Sequence, residues 1–235
     1  ISPPIGSLVV LEFSMNARFF ASSGVALFSM LILTRLPETL KDKRPFHPRI
    51  LKLKKDEIVE RSAFLPAAIA LTAYFGFGVF VTILPDQSEH LGIANKGLFF
   101  TALTLMSLTS RIIAGKSSDI YGRIPVMRIA MFFLALSYVF MSYVSTPTQL
   151  MLASGCIGFS SGIASPAVFA LAIDRAADER RARAMATLYI GLEISIGTGA
   201  LFGAYSYANN PENFGRTFLF VAGFTMLSFL FLGIR

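Results

Sequence analysis

A short charged stretch, GKSSDIYGR, separates two long apolar runs, and its residue types suggest ion-pair chemistry. Its glycines are Gly115 and Gly122, and its charged residues are Lys116, Asp119 and Arg123. Glycine permits tight turns and close approach of neighbouring helices. A carboxylate is favoured near a helix N-terminus, and an arginine pairs with an acid or with free helix carbonyls. The stretch therefore predicts a compact turn that holds two helices together through charge.

A second ionisable group, Glu193, lies in the middle of the apolar run LYIGLEISIGTGALFG. A charge at bilayer depth costs at least ~2.5–3.5 kcal/mol, so such a residue faces a bundle interior or a cavity. At about 100° per residue, Glu193 and Gly197 lie on nearly one face. Two interpretations remain open, a proton-coupling or substrate-binding carboxylate and a neutral Glu hydrogen-bonded to a neighbouring helix.

Small residues predict helix packing on two of the apolar runs. Gly199 and Gly203 have the GxxxG spacing that lets helices approach closely in lipid, and Gly197 is expected to add flexibility. The run 148–172 contains further candidates for packing and hinge positions. These are Gly158, Gly162 and Pro166.

The aromatic stretch AYFGFGVF places Tyr74, Phe75 and Phe77 around two glycines. Aromatic side chains in such a run either stack on a substrate or pack in the core or against lipid. Both interpretations of the three residues are kept.

The elements that position these groups must be membrane helices. Hydrophobic residues make up 54% of the 235 residues, charged residues only 15%, and the mean hydropathy is +0.63. Apolar runs of about 20 residues match the ~30 Å hydrocarbon core of a bilayer. We predict an all-α polytopic membrane protein with seven spans. They are 16–35, 64–84, 97–114, 124–144, 148–172, 184–207 and 214–234.

The loops that join these spans alternate between basic and basic-poor. All but three of the 21 Lys and Arg residues fall on one side, the exceptions being Arg18, Lys96 and Arg216. Because basic loops face the cytoplasm, this predicts a multi-pass protein of the cell membrane with a cytoplasmic C-terminus. The expected segments follow from this order. They are the end of a truncated helix at 1–13, one spanning helix at 14–36, a cytoplasmic linker at 37–61 and a six-helix bundle at 62–235.

Composition argues against several other classes of protein. The net charge of +7 is explained by the cytoplasmic loops, so no nucleic-acid partner is expected. Cys156 is the only cysteine, and His47 and His90 are far apart in sequence, so no metal site or cofactor is predicted. A retinal protein would need a lysine within the last span, and 214–234 has none. A membrane enzyme would need clustered catalytic groups at one depth.

The charged turn resembles the signature cytoplasmic turn of the major facilitator superfamily, G-x-x-x-D-(R/K)-x-G-(R/K)-(R/K). This copy departs from the pattern at Ile120 and at Ile124-Pro125. The stretches LPET, 82–116 and 174–206 are also similar to segments of that family. The resemblance covers essentially the whole chain, from the end of family helix five to helix twelve, and it implies a missing N-terminal half of the same protein.

The resemblance implies a cytoplasmic gating latch. Its residues would be Arg111, Gly115, Asp119, Gly122 and Arg123. The N-terminal SPPIGS is similar to the end of G-P-x-x-G-G, a helix-five motif typical of antiporting exporters. Pro3 and Gly6 match this motif, whereas Ser2 and Ser7 replace glycines.

The function implied by the resemblance is secondary active transport of a small molecule by alternating access, with no enzymatic activity. Proton-coupled export across the lipid bilayer is the main expectation. An ion gradient is expected to supply the energy because no nucleotide-binding loop is present, and the direction of export rests on SPPIGS. The alternatives are an importer of a sugar or other metabolite and a transporter-like sensor that moves no solute. The sequence predicts that Glu193 and Tyr74 contribute to the substrate site.

Overall fold

The computed structural model describes residues 9, 12–37, 59–93, 95, 97–114 and 116–233, and these residues form an all-helical bundle. Its α-helices, in chain order, are α1 Met15–Leu33, α2 Phe64–His90, α3 Leu98–Ala114, α4 Ser117–Ile120, α5 Arg123–Ser142, α6 Pro147–Asp174, α7 Arg181–Tyr207 and α8 Phe214–Phe231. The predicted linker lies outside the described residues from 38 to 58.

The lengths and composition of these helices agree with the predicted membrane bundle. Five helical segments of the described chain are long and apolar enough to cross a bilayer, and they contain α2, α5, α6, α7 and α8. The apolar segment Phe19–Leu33 of α1 and the helix α3 are shorter, and α3 has 17 residues. At 1.5 Å per residue, α3 is about 25 Å long, slightly less than the ~30 Å hydrocarbon core.

Helix α2 continues beyond the predicted end of its span. The apolar run stops at Leu84, but the helix passes through Pro85 and ends at His90. A proline removes one backbone donor without cancelling the remaining hydrogen bonds of a helix. The added turns are also packed, because Gln87 and Ser88 are buried. Burial against neighbouring helices thus extends α2 where hydropathy alone predicts a stop.

Helices α2 and α7 form the most extensive contact in the bundle, and glycines set their separation. A Cβ atom built on Gly199 would overlap the carbonyl oxygen of Phe75, and one built on Gly78 would overlap that of Ile196. At Gly203 the nearest atom to such a Cβ is the Cα of Val79, at 3.2 Å. The predicted packing face of α7 therefore lies directly against the backbone of α2.

Helices α3 and α6 are joined in the same way. A Cβ atom on Gly158 would overlap the carbonyl oxygen of Leu103, and one on Gly162 would overlap the hydroxyl of Ser110. Helix α6 runs without a break through Pro166, whose hinge role stays a prediction. Gly197 has no atom of the described residues within 4 Å of its Cβ position, so it packs against nothing there. Its expected flexibility also stays a prediction.

Hydrogen bonds between helices supplement these close contacts. The Ser195 hydroxyl on α7 donates to the Leu71 carbonyl on α2, and the hydroxyls of Thr72 and Ser228 link α2 to α8. Just before α2, the backbone N–H of Glu60 donates to the Thr187 hydroxyl at 2.9 Å. In lipid, such bonds satisfy polar groups that have no water to bond with.

The glycine contacts predict unequal effects on stability for alanine substitutions at Gly197 and Gly199. We expect Gly199→Ala to destabilise the folded protein by about 1–3 kcal/mol, the typical cost of overpacking. Gly197→Ala should cost less, because its added methyl meets no atom of the described residues within 4 Å. Thermal unfolding of the purified full-length protein in detergent measures both.

Gly223→Ala on α8 is a second control, since nothing lies within 4 Å of its Cβ position. Equal losses of stability for Gly197→Ala and Gly199→Ala would contradict the packing described.

Candidate functional site

A cavity of about 220 Å³ lies among five helices of the bundle, α2, α3, α5, α6 and α7. Helix α2 contributes Tyr74 and Phe77, two of the three aromatic residues that the sequence suggested for a substrate site. Tyr138 lies on α5, and its ring packs over Gly76, where a Cβ atom would overlap it. The other apolar lining includes Leu103, Met131, Leu134, Ile157, Val168 and Ile196.

One part of the cavity wall is polar. Helix α3 contributes Ser107 and Arg111, which are four residues apart and therefore lie on one face. Helix α6 contributes Ser161 and Ser165 with the same spacing. Residue types of this kind donate hydrogen bonds, so the wall can bind the polar end of a molecule whose apolar part contacts the aromatic residues. Arg111 was assigned to the gating motif from sequence, but the structure places it in the cavity wall.

Phe75 is not among the residues that line this cavity. Its side chain is buried among aromatic rings on α7 and α8, with ring centroids 5.4 Å from Phe202 and 4.6 Å from Phe224. The reason is helical geometry, because consecutive residues point about 100° apart. A substrate contact at Phe75 stays a prediction.

Glu193 is exposed and does not belong to the lining of this cavity. Ile196, one turn further along α7, lines the cavity instead. Among the described residues Glu193 forms no ion pair. Gly199 and Gly203 on the same helix are buried, whereas Glu193 is exposed. A role for Glu193 in coupling or binding stays a prediction.

Three polar side chains come together around Arg123 at the charged turn. Its Nε donates to Asp174 Oδ2 at 2.9 Å, and its Nη1 donates to Ser118 Oγ at 2.7 Å. Nη1 also pairs with Asp119, one helical turn earlier. Arg123 thus joins the start of α5 to the end of α6. This contact agrees with the ion-paired turn that the sequence predicts.

The conformation of Gly122 explains the glycine at this position. Its φ of 92° and ψ of 154° are values that side-chain-bearing residues rarely adopt, and Gly122 directly precedes α5. Gly122 lies between the short helix α4 and α5, and across it Asp119 pairs with Arg123.

The ion pairs of the turn are well formed, but each contributes little free energy. The side chains of Arg123, Asp119 and Asp174 are 25%, 60% and 50% exposed. Ion pairs at that exposure contribute about 0.2–1 kcal/mol each. A contact of this strength can hold one arrangement of two helices and still break during a conformational change.

The sequence interpretation missed some of the residues that the structure brings together. Asp174 ends α6 and begins the basic segment DRAADERR, so an acid directly after an apolar run was the available signal. Ser161 and Ser165 gave only a four-residue spacing inside an apolar run. The predicted site residues Pro3, Gly6 and Gly115 lie outside the described residues.

Comparison with known proteins agrees with this architecture. The family model of the Major Facilitator Superfamily matches residues 66–235. Curated relatives include multidrug resistance protein MdtG of Escherichia coli O17:K52:H18 (strain UMN026 / ExPEC) and of Escherichia coli (strain K12 / DH10B), each 24% identical over 238 residues. Each alignment covers 97% of this chain but 57% of the relative.

The family match covers most of the chain, and it includes every helix that surrounds the cavity. The described bundle also consists of apolar helices with the length of membrane spans. The chain is therefore a multi-pass membrane protein that belongs to the Major Facilitator Superfamily.

Proposed function

We propose that this chain forms the C-terminal half of a secondary transporter that moves a small molecule by alternating access. The observation that carries the proposal is a cavity with an apolar body and one polar wall, inside a bundle matched by this family model. Sites of this kind bind small molecules. The protein acts as a transporter rather than as an enzyme.

The rest of the transporter completes the substrate site. The chain spans about 57% of the length of its curated relatives, so a second set of helices is part of the proposal. In this family type, two halves rock about a site near the bilayer midplane. The exposed face of α7 that carries Glu193 would then meet the other half, and Glu193 would bind a proton or the substrate there.

Export coupled to proton entry is the proposed direction. The printed name of the relatives, multidrug resistance protein, supports export of small molecules. The SPPIGS stretch supports it as well, through its similarity to the antiporter motif. Orientation follows from the basic loops, which puts the charged turn and Arg235 in the cytoplasm. The membrane would be the inner, or cytoplasmic, membrane.

The ion pairs around Arg123 would hold the cytoplasmic ends of α5 and α6 together while the transporter is closed on that side. Each pair is weak, so substrate and proton binding suffice to break them. The gate thus consists of Asp119, Gly122, Arg123 and, in addition to the predicted set, Asp174.

Loss of this latch should expose the cavity to the cytoplasm. We expect Arg123→Gln to raise the labelling rate of Ser107→Cys by a membrane-impermeant thiol reagent roughly twofold to thirtyfold, the shift that two weak ion pairs provide. The measurement uses everted vesicles with the full-length protein, in which Cys156 and any other native cysteine are replaced by serine.

Arg128→Gln is the matched control for this experiment. Arg128 lies on the same helix and stacks on Phe229 at 4.9 Å, outside the turn. It should leave the labelling rate unchanged. Unchanged or slower labelling in Arg123→Gln would rule out the proposed latch.

Proton-coupled export is tested with the full-length protein in everted vesicles that have an acid interior. A panel of cationic dyes and small metabolites is added, and substrate-dependent proton leak is followed. We expect leak in the wild type and its loss in Glu193→Gln, because Gln cannot carry the coupled proton. Glu212→Gln, in the exposed segment between α7 and α8, should behave as the wild type.

Leak that survives Glu193→Gln would move coupling to the other half and leave Glu193 with a structural role. Absence of leak with every compound would contradict proton antiport and favour import or a transporter-like sensor.

A further inference from the structure

The polar wall of the cavity contains a cation without an acid beside it. Arg111 lines the cavity with Ser107, Ser165 and Tyr74, and no carboxylate belongs to the lining. Arg111 has no ion pair among the described residues. It is also exposed, so its charge is accessible to an anion that enters the cavity.

The direction of the Arg111 side chain is unusual for its position. Arg111 is three residues from the end of α3, about 5 Å along the axis, and arginines near helix ends ordinarily extend towards the membrane surface. Here the Arg111 side chain lines the cavity together with Tyr74 and Ser107. Tyr74 lies ten residues into α2, about 15 Å from its first residue. The positive charge is therefore directed into the cavity.

The hydroxyl groups around Arg111 complete a site for an anion. Ser107 is one turn away on α3, and Ser165 lies beside the Tyr74 hydroxyl. A guanidinium binds a carboxylate through two parallel hydrogen bonds, and hydroxyls can donate to the same oxygens. Phe77, Leu103 and Met131 present apolar surface to the rest of the molecule.

We propose that this cavity selects amphipathic organic carboxylates, with the carboxylate on Arg111 and the apolar body against the aromatic wall. This inference rests on the proposed transport function and names its substrate class. The alternative is that an acid from the rest of the full-length protein pairs with Arg111, which would give Arg111 a structural role.

The test measures binding of three probes with one ring system to the full-length protein in detergent. The probes are 2-naphthoate, 2-naphthamide and 2-naphthylmethylammonium, which are anionic, neutral and cationic. We expect the wild type to bind 2-naphthoate at least about tenfold more tightly than 2-naphthamide, the effect of a hydrogen bond to a charged group. Arg111→Gln should remove this preference and leave the affinity for 2-naphthamide unchanged.

Two further variants separate the proposal from a structural effect. Arg111→Lys should retain part of the preference, because the charge remains while the paired geometry is lost. Arg128→Gln, which removes a cation outside the cavity, should bind all three probes as the wild type does. Unchanged 2-naphthamide affinity in Arg111→Gln shows that the cavity is folded.

Equal affinities of the wild type for 2-naphthoate and 2-naphthamide would overturn the inference. So would an equal loss of both in Arg111→Gln, a preference for the cation, or no binding of any probe. Substrate-dependent proton leak with other compounds, in the absence of a carboxylate preference, would overturn this inference alone. Absence of leak with every compound, together with a carboxylate preference lost in Arg111→Gln, would reject the transport mechanism and retain the binding site.

Discussion

The structure depends on the close approach of helices at glycines. Lipid chains are as apolar as leucine, so helices in a bilayer gain little from burying apolar surface and associate through tight packing instead. Two pairs meet in this way, α2 with α7 at Gly78 and Gly199, and α3 with α6 at Gly158 and Gly162. In both pairs the backbone of one helix touches that of the other. The separation of these pairs fixes where space remains for a cavity.

The contacts in the bundle divide into strong and weak ones, and the division matches their proposed roles. Glycine-mediated packing cannot loosen gradually, because densely packed interfaces have discrete arrangements. The ion pairs of Arg123 at the end of α6 are half exposed and weak. A transporter half that moves largely as a rigid body needs strong contacts between its helices and a breakable contact at one end. The glycine packing and the ion pairs of Arg123 match these two requirements.

Much of the fold could be predicted from the sequence, because hydrophobic length and glycine spacing act locally. The spans, the GxxxG face of α7 and the paired turn at Asp119 and Arg123 required only composition and short motifs. The direction of side chains across helices required the three-dimensional structure. Arg111 was assigned to the turn by its place before Gly115, and Phe75 was grouped with Tyr74, because sequence alone does not give the rotation of α2 and α3. Asp174 was missed since its partner is 51 residues away.

The most direct test of the account is a cysteine accessibility scan along α3 of the full-length protein, using a small water-soluble thiol reagent. The cavity described here predicts rapid labelling at positions 103, 107 and 111, which line it, and slow labelling at positions 99 and 110, which are buried. Positions 105, 108 and 112 are exposed on the other face of α3 and should be protected by lipid. Labelling of 105, 108 and 112 without 103, 107 and 111 would place water on the wrong side of α3 and contradict the cavity.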